Sequence, residues 1–183
     1  LNAGVDRLAI VMEMVIRPDG SLQDSDIYQA MVHNQAKLAY NSLGSWLEGR
    51  AEPPQAVTAV KGLSENLRLQ DRVAQSMRML RHENGALYLE TIEAQPVFEG
   101  DTVRALVART TNRATQLIED FMIAANRVTA RYLESRRWPS IRRVVRVPRR
   151  WERIVEIAEE YGARLPTRPD SRALNGFLTE QKV

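Results

Sequence analysis

The residues best placed to do chemistry lie in the stretch Leu117-Ile118-Glu119-Asp120-Phe121-Met122-Ile123-Ala124-Ala125-Asn126. At about 100° per residue, Leu117, Ile118, Phe121, Met122, Ala125, Val128, Tyr132 and Leu133 form one broad apolar helix face. Asp120, Arg127 and Arg131 gather opposite and read as the solvated edge. Glu119 and Asn126 stand one heptad apart inside the apolar border, where a carboxylate and an amide need partners. A neighbouring Arg can satisfy Glu119 as a rim carboxylate; a ligand can do the same.

A second candidate is Arg136–Arg153, RRWPSIRRVVRVPRRWER, which holds eight Arg, a single acid (Glu152), and Trp138 and Trp151 between the cations. Interleaved cations and aromatics suit a phosphate backbone carrying bases to stack on. The competing reading is a solvated basic strand and helix start whose tryptophans are core. Asp24 and Asp26 share a strand face, and such pairs are more often the wet side of an outer strand than a metal site. His33 and His82 lack ligand-spaced partners, and with no Cys neither a disulfide nor a thiolate zinc site can form. There is no Gly-rich phosphate loop or nucleophile elbow.

The elements that must position these residues follow from periodicity and turn chemistry. Leu8 to Arg17 is an apolar β run, Pro18-Asp19-Gly20 a turn, and Leu22 to Val32 the return strand of a hairpin. Asn34 is expected to cap a helix to about Glu48 with Ala36, Ala39, Tyr40, Leu43 and Leu47 on its core face. A long helix is expected from Gln55 to His82, striped by Val57, Val60, Leu63, Leu67, Val73, Met77 and Leu80 and weakened at Gly62. Ala86 to Ile92 and Val103 to Ala108 read as a second hairpin around Glu99-Gly100-Asp101, its first arm loosened by Pro96. The central helix runs from about Thr111 to Arg136, and Trp138-Pro139 ends it. Ile141 to Val147 is a short β run. A helix from Arg149 to Tyr161 closes at Gly162, and Asp170 caps a last helix. The fold class is α+β: antiparallel β-hairpins packed with long amphipathic helices.

The 183 residues, 44% hydrophobic, can bury a core. No apolar run approaches the ~20 residues of a membrane span, and no signal peptide opens the chain, so a soluble, cytoplasmic protein is expected. Residues 1–100 carry 9 basic and 13 acidic side chains, and residues 101–183 carry 17 and 10. Of the 26 cations, 23 are Arg. Arg is the better fork for phosphate, although a GC-rich genome gives the same bias.

Three segments together resemble the catalytic domain of the ribonuclease II (RNB) family of processive 3′-to-5′ exoribonucleases. They are Leu1 with Val5-Asp6-Arg7-Leu8-Ala9 running into the Pro18-Asp19-Gly20 hairpin; Ala36-Lys37-Leu38-Ala39-Tyr40 followed by Trp46-Leu47; and Asn112-Arg113 with the Ile118 to Asn126 block. Order and spacing match over 5–47 and 85–135, and elsewhere only the layout does. The resemblance implies that residues 1–183 are part of an RNB domain and that the activity is metal-assisted hydrolysis of a phosphodiester, with Mg2+ held by aspartates. That aspartate motif would precede the segment matching Leu1, and a further Arg motif would follow Val183. The chain alone is thus expected not to cut RNA, with no catalytic or metal-ligating residue of its own.

The resemblance assigns substrate selection to this chain. Tyr40 and Glu119 match the family positions that contact ribose 2′-hydroxyls, which a phenol and a carboxylate can both pair with and which DNA lacks. An aromatic that stacks on bases in the family falls at Leu89, with Tyr88 beside it but on the other strand face. Arg142, Arg143 and Arg146 are the phosphate contacts expected from the basic segment. The implied partners are single-stranded RNA, the remainder of the RNB domain and accessory RNA-binding domains, with no membrane. The alternative is an RNB-like domain without catalysis, acting as an RNA-binding or regulatory module. A helical interaction protein that binds no RNA is a third reading, at odds with the basic segment.

Overall fold

The computed structural model describes residues 2–87, 94–108, 111–142 and 150–181. Strands β1 (Asp6–Ile16) and β2 (Leu22–His33) form the first antiparallel hairpin, paired from Asp6 opposite His33 to Ile16 opposite Leu22. Its turn is set by Asp19, whose Oδ1 accepts the Ser21 backbone N–H at 2.9 Å and the Ser21 hydroxyl at 2.7 Å. Gly20 has φ +81° and lies so close to the helix carrying Ser76 that a Cβ would come within 2.3 Å of the Ser76 carbonyl oxygen. Only glycine fits there, for both conformational and steric reasons.

Helix α1 (Tyr40–Leu47) starts five residues later than the sequence suggests. Asn34 does not cap it. The Asn34 carbonyl instead accepts the Gly4 N–H at 2.8 Å, so the chain stays extended past the hairpin's open end, and Ala39 keeps a β conformation. The expected Gln55–His82 helix is divided into α2 (Gln55–Thr58) and α3 (Leu63–Glu83). Gly62 sits between them at φ +78°, left-handed backbone that a continuous right-handed helix cannot contain. The expected stripe nevertheless faces inward: Val57, Leu67 and Met77 are buried, and Val60, Leu63, Val73 and Leu80 partly so.

The second hairpin pairs β3 (Ala94–Glu99) with β4 (Thr102–Ala108). Its first arm contains Pro96, as expected. Ala86 and Leu87 are outside any strand, and 88–93 lie outside the described residues. Proline is tolerated because a two-stranded sheet is all edge. Helix α4 (Arg113–Ser135) begins with a capping box: Asn112 Oδ1 accepts the Thr115 N–H at 3.0 Å, and the Asn112 N–H donates to Thr115 Oγ1 at 3.0 Å. Past its end, Arg137 takes φ +55° before Trp138-Pro139. Ile141 and Arg142 have no regular structure, and the rest of the expected β run lies outside the described residues. Helices α5 (Trp151–Glu160) and α6 (Ser171–Glu180) follow. Asp170 caps α6, accepting from the N–H groups of Arg172 and Ala173 at 2.8 and 3.0 Å.

Among the described residues, two buried apolar clusters stand out. Leu43, Trp46, Val57, Leu67 and Ala114 join α1, α2, α3 and α4. Trp151, Ala158, Leu174 and Phe177 join α5 and α6. Trp151 is thus core, its indole N–H donating to the Pro166 carbonyl at 2.9 Å. Among the described residues no helix is long and apolar enough to cross a membrane.

Candidate nucleic-acid interface

A groove of about 720 Å³ runs between the start of α1, the start of α4 and the second hairpin. Ala39, Tyr40 and Asn41 form one wall, Asn112 and Thr115 the second, and Ala94, Gln95, Pro96, Val107 and Ala108 the third. The first two walls are pressed together. A Cβ on Gly44, one turn after Tyr40, would come within 2.5 Å of the Asn112 side chain, so the capping residue of α4 rests directly on the backbone of α1. Glu48, at the end of α1, accepts the Arg113 N–H at 2.9 Å and pairs with Arg50. The Arg50 guanidinium first, and then the Arg113 amide, hold the Glu48 carboxyl below its ordinary range. Arg113 in turn pairs with Asp71 of α3 at 2.5 Å.

These ties leave Tyr40 at the groove, half-exposed, with no hydrogen-bond partner for its phenol among the described residues. It does not share the core face assigned to it with Leu43 and Leu47; Ala39 is exposed as well. The helix has barely begun at that point and its first residue projects past the packed face.

The acidic pair on α4 is arranged opposite to expectation. Asp120, read as solvated, is 1% exposed, and Glu119, read as set in the apolar border, is exposed together with Asn126. The cause lies on α3. Arg78 and Arg81 project from it toward α4, and Asp120 pairs with Arg78 at 3.0 Å and Arg81 at 2.5 Å. Arg78 also donates to the Gln116 carbonyl at 3.3 Å. Two cations make burial of Asp120 tolerable, and turning Asp120 inward turns Glu119 out. Glu119 has no partner among the described residues. It stands one turn after the groove-lining Thr115 on the same side of the helix. The sequence held one clue: Arg78 and Arg81 each follow a stripe residue, Met77 and Leu80, and so border the buried face of α3. Asn41 and Gln95 also line the groove and had no sequence signal beyond a helix start and a loose strand, whereas Asn112, likewise in the lining, was marked only by the Asn112-Arg113 resemblance.

Of the remaining expected contacts, Arg142 folds back on α4, donating to the Ala130 carbonyl at 3.1 Å and to Glu134 at 3.3 Å, and stays half-exposed. Arg143, Arg146, Tyr88 and Leu89 lie outside the described residues. The exposed Trp138 packs edge-on to Tyr132, with centroids 6.3 Å apart, and the Arg136 guanidinium covers both rings. A second hollow of about 490 Å³ lies between the first hairpin and α3 and α4, lined by Met14, Leu22, Met77, Ile123 and Arg127 among others. Among the described residues no three acidic or histidine side chains converge as a metal cluster. Asp24 and Asp26 are exposed, and each accepts the next residue's backbone N–H at 2.8 Å.

Residues 1–181 match the RNB domain, and the chain belongs to that family. Ribonuclease R of Vibrio parahaemolyticus is 30% identical over 149 residues, 81% of this chain and 18% of that protein. Exoribonuclease 2 of Cronobacter sakazakii is 30% identical over 138 residues, 74% of this chain and 21% of that one. The chain thus spans about a fifth of the length of these relatives. Among solved structures, Mycoplasma genitalium RNase R in complex with ribose-methylated single-stranded RNA superposes with a TM-score of 0.87 at 19% identity, over 99% of this chain and 29% of that one. The resemblance carried by the hairpin, the Tyr40 segment and the Glu119 block is borne out at the level of family and fold.

Proposed function

We propose that this chain is part of a 3′-to-5′ hydrolytic exoribonuclease, in which it walls the RNA channel and recognises the ribose 2′-hydroxyl through Tyr40 and Glu119. The observation that carries the reading is the exposed, unpartnered pair itself. Two polar side chains far apart in sequence stand free among the described residues, one in the groove and the other a turn beyond its Thr115 wall. A carboxylate repels phosphate, so its place beside a nucleic acid makes sense where it accepts a hydrogen bond from a sugar. Relatives named as exoribonucleases, and a fold neighbour bound to single-stranded RNA, support the substrate class.

Arg142, with Arg143 and Arg146, supplies phosphate contacts in this reading, and Arg136 with Trp138 offers a cationic, aromatic surface beside them. The described residues do not fit a magnesium site, so no catalytic step is routed through them; Mg2+ and its ligands are assigned to the complete protein, together with any accessory RNA-binding domains. Tyr40→Ala and Glu119→Ala, made in the complete protein, are expected to lower the preference for RNA over DNA of the same sequence by about tenfold each, the scale of one hydrogen bond to a charged or buried partner. RNA cleavage should fall less than that preference. An unchanged preference in both variants rejects the assignment.

A further inference from the structure

The apolar residues of α4 do not decide which way the helix faces. Ala114, Leu117 and Val128 are buried, but Ile118 and Met122 form an adjoining apolar arc and are 40% and 59% exposed. Rolling the helix toward that arc exchanges one apolar surface for another, so hydrophobic burial is a weak constraint on its rotation. Asp120 is a strong one. A carboxylate that is 1% exposed must keep its partners, and the rotation adopted brings it to both Arg78 and Arg81. Arg78 fixes the preceding turn as well, through the Gln116 carbonyl.

We infer that Asp120, Arg78 and Arg81 form a positioning cluster that sets the rotation of α4 and thereby aims Glu119 toward the Tyr40 groove. The inference rests on the ribose-reading role given above to Glu119. Its leverage is geometric: with the carboxylate about 6 Å from the helix axis, a roll of about 20° displaces it by about 2 Å, beyond the range of a hydrogen bond. Setting register is the best-attested use of buried ionic groups, which add little stability over an apolar replacement. Asp120 touches no substrate in this scheme and acts only through its neighbour.

The test measures binding of an RNA and a DNA oligonucleotide of one sequence by the complete protein. Four variants are compared: Glu119→Ala, Asp120→Asn, the two combined, and the apolar triple Asp120→Leu, Arg78→Met, Arg81→Met. Asp120→Asn is expected to lose most of the RNA preference that Glu119→Ala loses, about tenfold, and the combined variant to lose no more than Glu119→Ala alone. The triple variant should melt at or above the wild-type temperature yet show the same loss, which a merely stabilising cluster would not produce. It also decides the matter if Asp120→Asn does not fold. Wild-type preference in the Asp120→Asn and triple variants, beside a loss in Glu119→Ala, overturns the inference and spares the ribose assignment. Losses that multiply in the combined variant overturn it too. Full preference in Glu119→Ala removes the ribose assignment and this inference with it.

Discussion

The block of α1, α3 and α4 and the arm of β3 and β4 share a groove but are held in opposite ways. In the block, Leu43, Trp46, Leu67 and Ala114 exclude water, and the ion pairs Arg113–Asp71 and Asp120–Arg78–Arg81 bridge the helices. In the arm every residue of both strands is exposed, including Phe98 at 60% and Leu106 at 70%. Its shape comes from strand pairing and one bulge between Val97 and Phe98, and a lone hairpin is marginal in water. The difference teaches where precision is kept. The two candidate ribose readers stand on the pinned side of the groove, while the opposite wall buries no strand residue among those described.

The sharpest way to break this contrast is Asp120→Ala, which strands two guanidinium groups beside an empty space. Loss of one partner from a buried ion pair costs about 3–5 kcal/mol, and hydrogen-exchange protection across α3 and α4 should fall accordingly in the complete protein. Asn112→Ala removes the capping box and should cost about 1 kcal/mol, with faster exchange at the first turn of α4. Glu48→Gln examines the tie between α1 and α4 through pH. The folded carboxyl titrates below its ordinary value, so its stabilisation is present above that value and is lost as pH falls through the folded one. Wild type and variant should therefore differ near neutrality and converge in acid, read as melting temperature against pH. Phe98→Ser on the arm should change stability by no more than about 0.5 kcal/mol; a larger drop would mean that the arm is packed after all.

How much of this was legible in the sequence depended on whether the deciding force was local. The first hairpin was plain, because Pro18-Asp19-Gly20 and the flanking apolar runs carry their own signals. So was Asp170 as a cap, since it bonds amides two and three residues ahead. The stripe of α3 was also clear, although Gly62 divides the helix rather than merely weakening it. The roll of α4 was not legible. Its apolar arc admits several rotations, and the one adopted is chosen by arginines about forty residues away in sequence. The start of α1 was missed for a similar reason: Asn34 has the chemistry of a cap, but its backbone is engaged with Gly4. At the site the residue types were readable, the acidic pair above all, while the assignment of inside and outside within that pair required the neighbouring helix.

Helix α3 is the member that several other elements are fixed to. About 31 Å long at 21 residues, it is fastened at Asp71 to the start of α4, at Ser76 to the tip of the first hairpin, and at Arg78 and Arg81 to the middle of α4. At its far end the His82 carbonyl accepts from Asn175, and Gly85 lies against Ser171 and Arg172 of α6. It is a beam with fixings along its whole span. A displacement where α6 begins would therefore press first on α3, the helix that also bears on the start and the middle of α4.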